Sequence, residues 1–205
     1  LINQVYINQI TKHFENTLFQ IIPNINSSVS ELSLLSKHEE IKFLKEINTT
    51  EAEFPQNKTL VNMFVTQVEK SPNSIAISFG AQTLTYAELN QKSNQLAHYL
   101  ISNGIRVEDF VPICVERGFE MIIGILAILK AGAVYVPIDP EYPRERIDFI
   151  IEDTSAKIVL TDQKSKSKIP NGKHLIIELD SNLSEISRNQ SDLPQVSISP
   201  KNLAY

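Results

Sequence analysis

Leu129-Lys130-Ala131-Gly132-Ala133-Val134-Tyr135-Val136-Pro137-Ile138-Asp139-Pro140 decides how this chain folds. In twelve residues it reads as a helix end, a tight turn and a buried strand. Gly132 sits where the helix must stop, because glycine enters the left-handed turn conformation without a side-chain penalty. Val134 to Ile138 is then a short apolar run of the β-branched and aromatic kind that strands favour.

The same alternation continues on both sides. Upstream, Val111 to Val115 reads as a strand and Phe119 to Lys130 as an apolar helix. Downstream, Pro143 occupies a first helical position and starts a helix with Ile147, Ile150 and Ile151 facing inward. Ile158 to Thr161 and Leu175 to Leu179 read as two more strands, with loops over 163–173 and 181–201. Strands alternating with helices imply an α/β fold, with a mostly parallel sheet flanked by helices and right-handed crossovers. Before this, Ile75 to Phe79, Gly80-Ala81-Gln82 and Thr83-Leu84 read as a hairpin. Thr85-Tyr86-Ala87-Glu88 is a capping box that opens a helix whose core face is Leu89, Leu96, Ala97 and Leu100. Gly104 takes the glycine position just past its end.

The first third reads differently. Ile7, Ile10, Phe14, Leu18 and Ile21 recur at helical spacing, and Pro23 follows as a stop. Val29 to Leu35 reads as a short strand, and Ser36-Lys37-His38-Glu39 as the start of a second helix running to about Ile47. Asn48 to Lys58 is polar, contains Pro55 and lacks periodicity, so it reads as a linker. Leu60, Val61, Phe64, Val65 and Val68 form a third helical stripe, which ends near Ser71-Pro72.

Composition excludes several classes of function. A formal net charge of −5 does not make a nucleic-acid footprint. No apolar stretch reaches the ~18 residues of a membrane span. One cysteine, Cys114, rules out an internal disulfide framework and a cysteine-rich metal site, and fits a cytoplasmic setting. The start, Leu1-Ile2-Asn3-Gln4, has no Met and no basic stretch, and reads as neither a natural start nor a signal peptide. With six glycines the chain has no G-x-G-x-x-G, no G-x-x-x-x-G-K-[ST] and no G-x-S-x-G. Val115-Glu116-Arg117-Gly118-Phe119 offers one glycine after its strand, which is too few for a dinucleotide site.

The remaining candidates each have a plainer reading. Cys114 lies inside a strand and reads as a small buried core residue rather than a nucleophile. His13, His38, His98 and His174 are scattered, with no ligand or acid–base spacing, and His98 lies on the outer face of its helix. Asp139 ends a strand but precedes Pro140, which favours a turn. Arg144, Glu145, Arg146 and Asp148 read as a solvated helix face, and Lys164, Lys166, Lys168 and Lys173 as a flexible basic loop. No residue is placed in a catalytic, cofactor-binding or metal-binding role.

Leu84-Thr85-Tyr86-Ala87-Glu88-Leu89 and the run from Leu129 to Asp139 resemble the first two core motifs of nonribosomal peptide synthetase adenylation domains. Their spacing fits, as does Arg144-Glu145-Arg146 soon after. Residues 1–47, with Glu31-Leu32-Ser33-Leu34-Leu35-Ser36, are similar to the last helices of a condensation domain. Asn48-Thr49-Thr50-Glu51 and Phe54-Pro55 resemble the linker into adenylation. The resemblance implies three parts: the end of a condensation-like domain (1–47), a linker (48–58) and the incomplete N-terminal subdomain of an adenylate-forming enzyme (59–205).

It further implies a parent that activates an amino acid with ATP and Mg and loads it on a phosphopantetheine carrier domain. Its partners are the neighbouring condensation, adenylation and carrier domains. In that family the Ser/Thr/Gly-rich phosphate loop follows a segment like Asn202-Leu203-Ala204-Tyr205. The substrate pocket and the catalytic lysine also lie downstream. This chain by itself is therefore expected to be inactive, with the edge next to a cut last strand, starting near Leu203, left unpaired. The alternative is a non-catalytic docking or scaffold module; a stand-alone acyl ligase is disfavoured by residues 1–47. The motifs do not specify the amino acid.

Overall fold

The computed structural model describes residues 3–23, 25–26 and 28–205. The chain divides into two compact units, Leu1–Phe54 and Pro55–Tyr205.

The first unit holds α1 (Gln4–Ile21), capped by the Asn3 side chain, which accepts from the Val5 N–H. The expected strand over Val29–Leu35 is not formed. A 3₁₀ turn at Val29–Glu31 leads into irregular chain. The cause is competition for the backbone. The Asn16 amide donates to the carbonyls of Ser33 and Leu35, and the Gln20 side chain bonds both the N–H and the carbonyl of Ser33. The second expected helix is shorter. α2 (Lys37–Ile41) carries the Ser36/Glu39 capping box, and a π turn at Lys42–Glu46 extends it. No described residue of this unit is buried. The apolar stripe of α1 is real but faces solvent, with Ile10 62% and Phe14 65% exposed.

The second unit opens with α3 (Leu60–Lys70), capped by Thr59 and Asn62. The hairpin follows as β1 (Ile75–Phe79) antiparallel to β2 (Gln82–Thr85), turning at Gly80 with φ +60°. α4 (Tyr86–Ser102) starts at the Thr85/Glu88 capping box. Next come β3 (Phe110–Cys114), α5 (Phe119–Lys130), β4 (Val134–Pro137), α6 (Arg144–Asp153), β5 (Ile158–Thr161), β6 (Leu175–Glu178) and α7 (Leu183–Ile186). The four strands form one parallel sheet in the order β4-β3-β5-β6. Pro143 is the extended residue before α6 rather than its first helical residue. The expected loops at 163–173 and 181–201 each contain one helical turn, Lys166–Lys168 and α7.

Strand periodicity sorts the core into two layers. Val111 and Ile113 of β3, with Ile158 and Leu160 of β5, pack against Leu96, Ala97 and Leu100 of α4 and Ala127 and Ile128 of α5. Cys114 and Val159 point to the other face and meet Ile147 and Ile151 of α6. α5 comes so close to the sheet that a Cβ on Gly124 would lie 2.6 Å from Ile113 Cδ1. The outer edge of β4 is not left open as expected. The Tyr135 N–H donates to Ala204 O at 3.1 Å, and the Tyr205 ring stacks on Tyr135.

Candidate functional site

Ligands of parallel sheets bind beyond the C-terminal strand ends. In this chain those ends are braced by Asp162, which is buried just past β5. Its Oδ2 accepts from the Glu116 N–H and its Oδ1 from the Ser165 N–H, both at 2.7 Å. Burial would push this carboxyl up, but the two backbone donors outweigh that and hold it below the usual range. Beside it, Thr161 Oγ1 donates to Cys114 O at 2.8 Å. Burial, then the charge of Asp162, pushes the Cys114 thiol up to about 11, so it is an inert core residue as expected. Glu116 and Arg117 are exposed, and so is Asp139, whose Oδ1 accepts from the Glu141 N–H in a turn.

The structure brings none of the scattered candidates together. His13 pairs with Glu39 at 3.0 Å, His174 meets the carbonyl of Pro170, and His38 is exposed. His98 is not a free surface residue. Its outer face is covered by residues 191–192, with Nε2 3.1 Å from Asp192 O. Arg144 and Glu145 are exposed and Asp148 is half-buried. Arg146, also exposed, lies over the Tyr142 ring. The basic loop is partly tied down. Lys166 pairs with Glu178 at 2.7 Å, and Lys168 donates to Pro140 O at 2.6 Å, while Lys164 and Lys173 are exposed. Among the described residues no cluster of His, Cys, Asp or Glu could hold a metal ion.

The group that sequence reasoning missed is Lys130, which is 1% exposed at the end of α5. Its Nζ donates to Asn90 Oδ1, Ser93 Oγ and Asn94 Oδ1, each at 2.7 Å, and reaches Asn90 O at 3.2 Å. The Phe64 ring lies 5.0 Å away. Burial pulls the Lys130 pKa down to about 7. The cage acts in the opposite sense, since every polar partner accepts. The Ser93 hydroxyl proton is already given to Leu89 O, so three N–H donors, the ammonium form, complete the set. The ring and the helix C-terminus favour the same form. A signal existed in the sequence. α5 is apolar around its circumference, so a lysine in it must find partners inside, and α4 offers Asn90, Ser93 and Asn94 on one side.

A groove of about 740 Å³ runs between β2, α4, α5 and α7, lined by Leu84, Lys92, Gln95, Phe119, Glu120 and Leu183 among others. Its walls are mostly apolar, with one lysine and one glutamate, and they present no nucleophile with a base. The described residues thus bring together braced strand ends, a buried polar centre and an open groove.

In a parallel α/β sheet of this kind ligands sit on the loops beyond the strand ends. The AMP-binding enzyme family model matches residues 64–205, and the chain belongs to that family. It is 43% identical over 164 residues to gramicidin S synthase 2 of Brevibacillus brevis, covering 80% of this chain and 4% of that protein. With a linear gramicidin synthase of Brevibacillus parabrevis it shares 35% over all 205 residues, again 4% of the relative. Bacitracin synthase 3 of Bacillus licheniformis is 44% identical over 76% of this chain, which is 2% of its own length. The chain thus spans a few per cent of these relatives. Among solved structures it superposes on the nonribosomal peptide synthetase FmoA3 with TM-score 0.75 and 23% identity, over 97% of this chain and 21% of that one, a likeness of fold. It also superposes on the artificially fused adenylation–PCP di-domain NpsA-ThdA from Klebsiella oxytoca with TM-score 0.61 and 26% identity, over 68% and 26% of the two chains.

Proposed function

We propose that this chain is part of a nonribosomal peptide synthetase module whose parent activates an amino acid with ATP. The amino-acid carboxylate attacks the α-phosphate and pyrophosphate leaves; a phosphopantetheine thiol on a carrier domain then attacks the aminoacyl carbonyl, forming the thioester and releasing AMP. The observation that carries this reading is the family match over 64–205, on a fold whose relatives are peptide synthetases along the chain's whole length. Residues 59–205 are the N-terminal part of the adenylation domain, 48–58 the linker and 1–47 the end of a condensation domain. The match of the linear gramicidin synthase over all 205 residues supports extending the reading to the first 47. A separate docking module is not favoured, because the match is to an enzyme family.

ATP does not fit the described residues. The turn into α5 has Gly118 alone for a phosphate cradle, and Glu120 in the first helical turn repels anions. No catalytic step is therefore assigned to this chain's own residues. The proposed partners are the neighbouring condensation and carrier domains, with Mg accompanying ATP in the parent, in the cytoplasm. No described helix is long and apolar enough to cross a membrane.

The test is amino-acid-dependent exchange of pyrophosphate into ATP. The 205-residue chain should show none. The encoding polypeptide, taken at its native length, should show exchange with one or a few amino acids. Exchange by the 205-residue chain would overturn the assignment of the chemistry to other residues. Native polypeptide inert to every proteinogenic and common non-proteinogenic amino acid would overturn the adenylation reading.

A further inference from the structure

Residues 187–205 are irregular after α7, yet α4 grips the end of α7 and this segment at four points. Tyr99 Oη donates to Glu185 Oε2 at 3.0 Å, and Gln95 Nε2 donates to Ser187 O at 2.8 Å. Asn94 Nδ2 donates to Ser191 O at 2.7 Å, and His98 Nε2 lies 3.1 Å from Asp192 O. The strap then crosses the Gly132 turn, where a Cβ would stand 3.0 Å from Val196 Cγ1. Asn202 Nδ2 donates to Glu108 Oε1 at 2.7 Å, and Ala204 O takes the Tyr135 N–H. In this way the strap covers the edge of β4, a position that otherwise invites pairing with another chain.

Asn94 differs from the other three anchors in being buried, at 1% exposure. A primary amide is nearly symmetric in shape, so its two orientations are separated by what each end meets. The Lys130 ammonium can only donate, and at 2.7 Å it demands the Asn94 oxygen. That leaves the Asn94 NH₂ facing the Ser191 carbonyl. We propose that Lys130 is a positioning residue for the strap: by fixing the Asn94 amide, it sets where residues 187–205 run and so keeps the edge of β4 covered. This role concerns the strap alone and holds whether or not the parent activates amino acids.

Two variants separate this role from general stability. Asn94→Asp keeps an oxygen for Lys130 and adds a counter-charge to it, but removes the donor to Ser191. Lys130→Met removes the group that orients Asn94. The readout, in the 205-residue chain, is amide exchange at Tyr135, whose N–H is held by the strap, against Leu160 inside the sheet. In both variants Tyr135 should exchange about tenfold faster relative to Leu160, the factor expected for loss of one buried anchor. An unchanged ratio in either variant, whether both amides stay slow or both accelerate alike, would overturn the proposal.

Discussion

At the scale of single residues, the buried cation makes a prediction about pH. Burial lowers the folded pKa of Lys130 to about 7 from an ordinary 10.5, so above about pH 7 the folded chain gives up the proton that completes the Lys130 cage while the unfolded chain still holds it. Stability therefore rises with pH across that window, by at most about 1.4 kcal/mol per unit from this group. The difference in unfolding free energy between the native sequence and Lys130→Met, followed by denaturant titration from pH 7 to 10, should carry this slope. Taking the difference removes the contributions of tyrosines and Cys114.

Helix ends give a second prediction. α4, α5 and α6 all close with the same pair of bonds, and the left-handed position is held by Gly104, Gly132 and Ser155 respectively. Ser155, at φ +49°, bears a strain that the two glycines avoid. Ser155→Gly should raise stability by about 0.5 kcal/mol, after the extra backbone entropy of glycine in the unfolded chain is subtracted. Gly132→Ala should lower it by about 2 kcal/mol, because it adds both the strain and the collisions with Val107 and Val196. Thermal unfolding of the two variants checks the opposite signs.

At the scale of elements, the sheet and its helices are separated by less than a side chain at one point. Gly124 lets α5 settle on Ile113, Leu160 and Leu179, which lie on β3, on β5 and just past β6. Gly124→Leu should cost about 3 kcal/mol or prevent folding, since those side chains are themselves locked in the core. Chemical denaturation against the native sequence measures it. The capping boxes act locally. Thr85→Ala should cost about 1 kcal/mol, through lost caps on the Glu88 N–H, with the same sheet retained in the circular-dichroism spectrum. The Glu39 carboxyl is held down to about 2, first by the Ser36 hydroxyl and N–H and then by His13, so the α2 cap persists until acid well below the ordinary carboxylate range.

At the scale of the whole molecule, the two units differ in what holds them. Pro55–Tyr205 has a core on both faces of its sheet, whereas no described residue of Leu1–Phe54 is buried. Opening free energy follows buried apolar contact. Limited proteolysis under native conditions should therefore cut within residues 1–54 first and leave a fragment beginning near Pro55. Cleavage inside 110–179 at equal rates would show that the sheet is no more stable than the helices before it.

The alternation of strands and helices, the glycine turns, the Ser36/Glu39 and Thr85/Glu88 capping boxes and the family were legible in the sequence, because each depends on residues near one another along the chain. Periodicity over five residues marks a buried strand, and a glycine after an apolar helix marks its end. Tertiary structure decided everything that depends on residues far apart. The stretch from Val29 to Leu35 has strand composition, but two side chains of α1 took its backbone groups. Lys130 reads as an ordinary basic helix end until α4 is packed against it, 36 to 40 residues earlier in the chain. Residues 181–201 read as loop until four side chains of α4, more than 80 residues away, are seen to hold them. Local pattern encodes which element forms; which polar group each element must satisfy is set by the neighbour that the fold supplies.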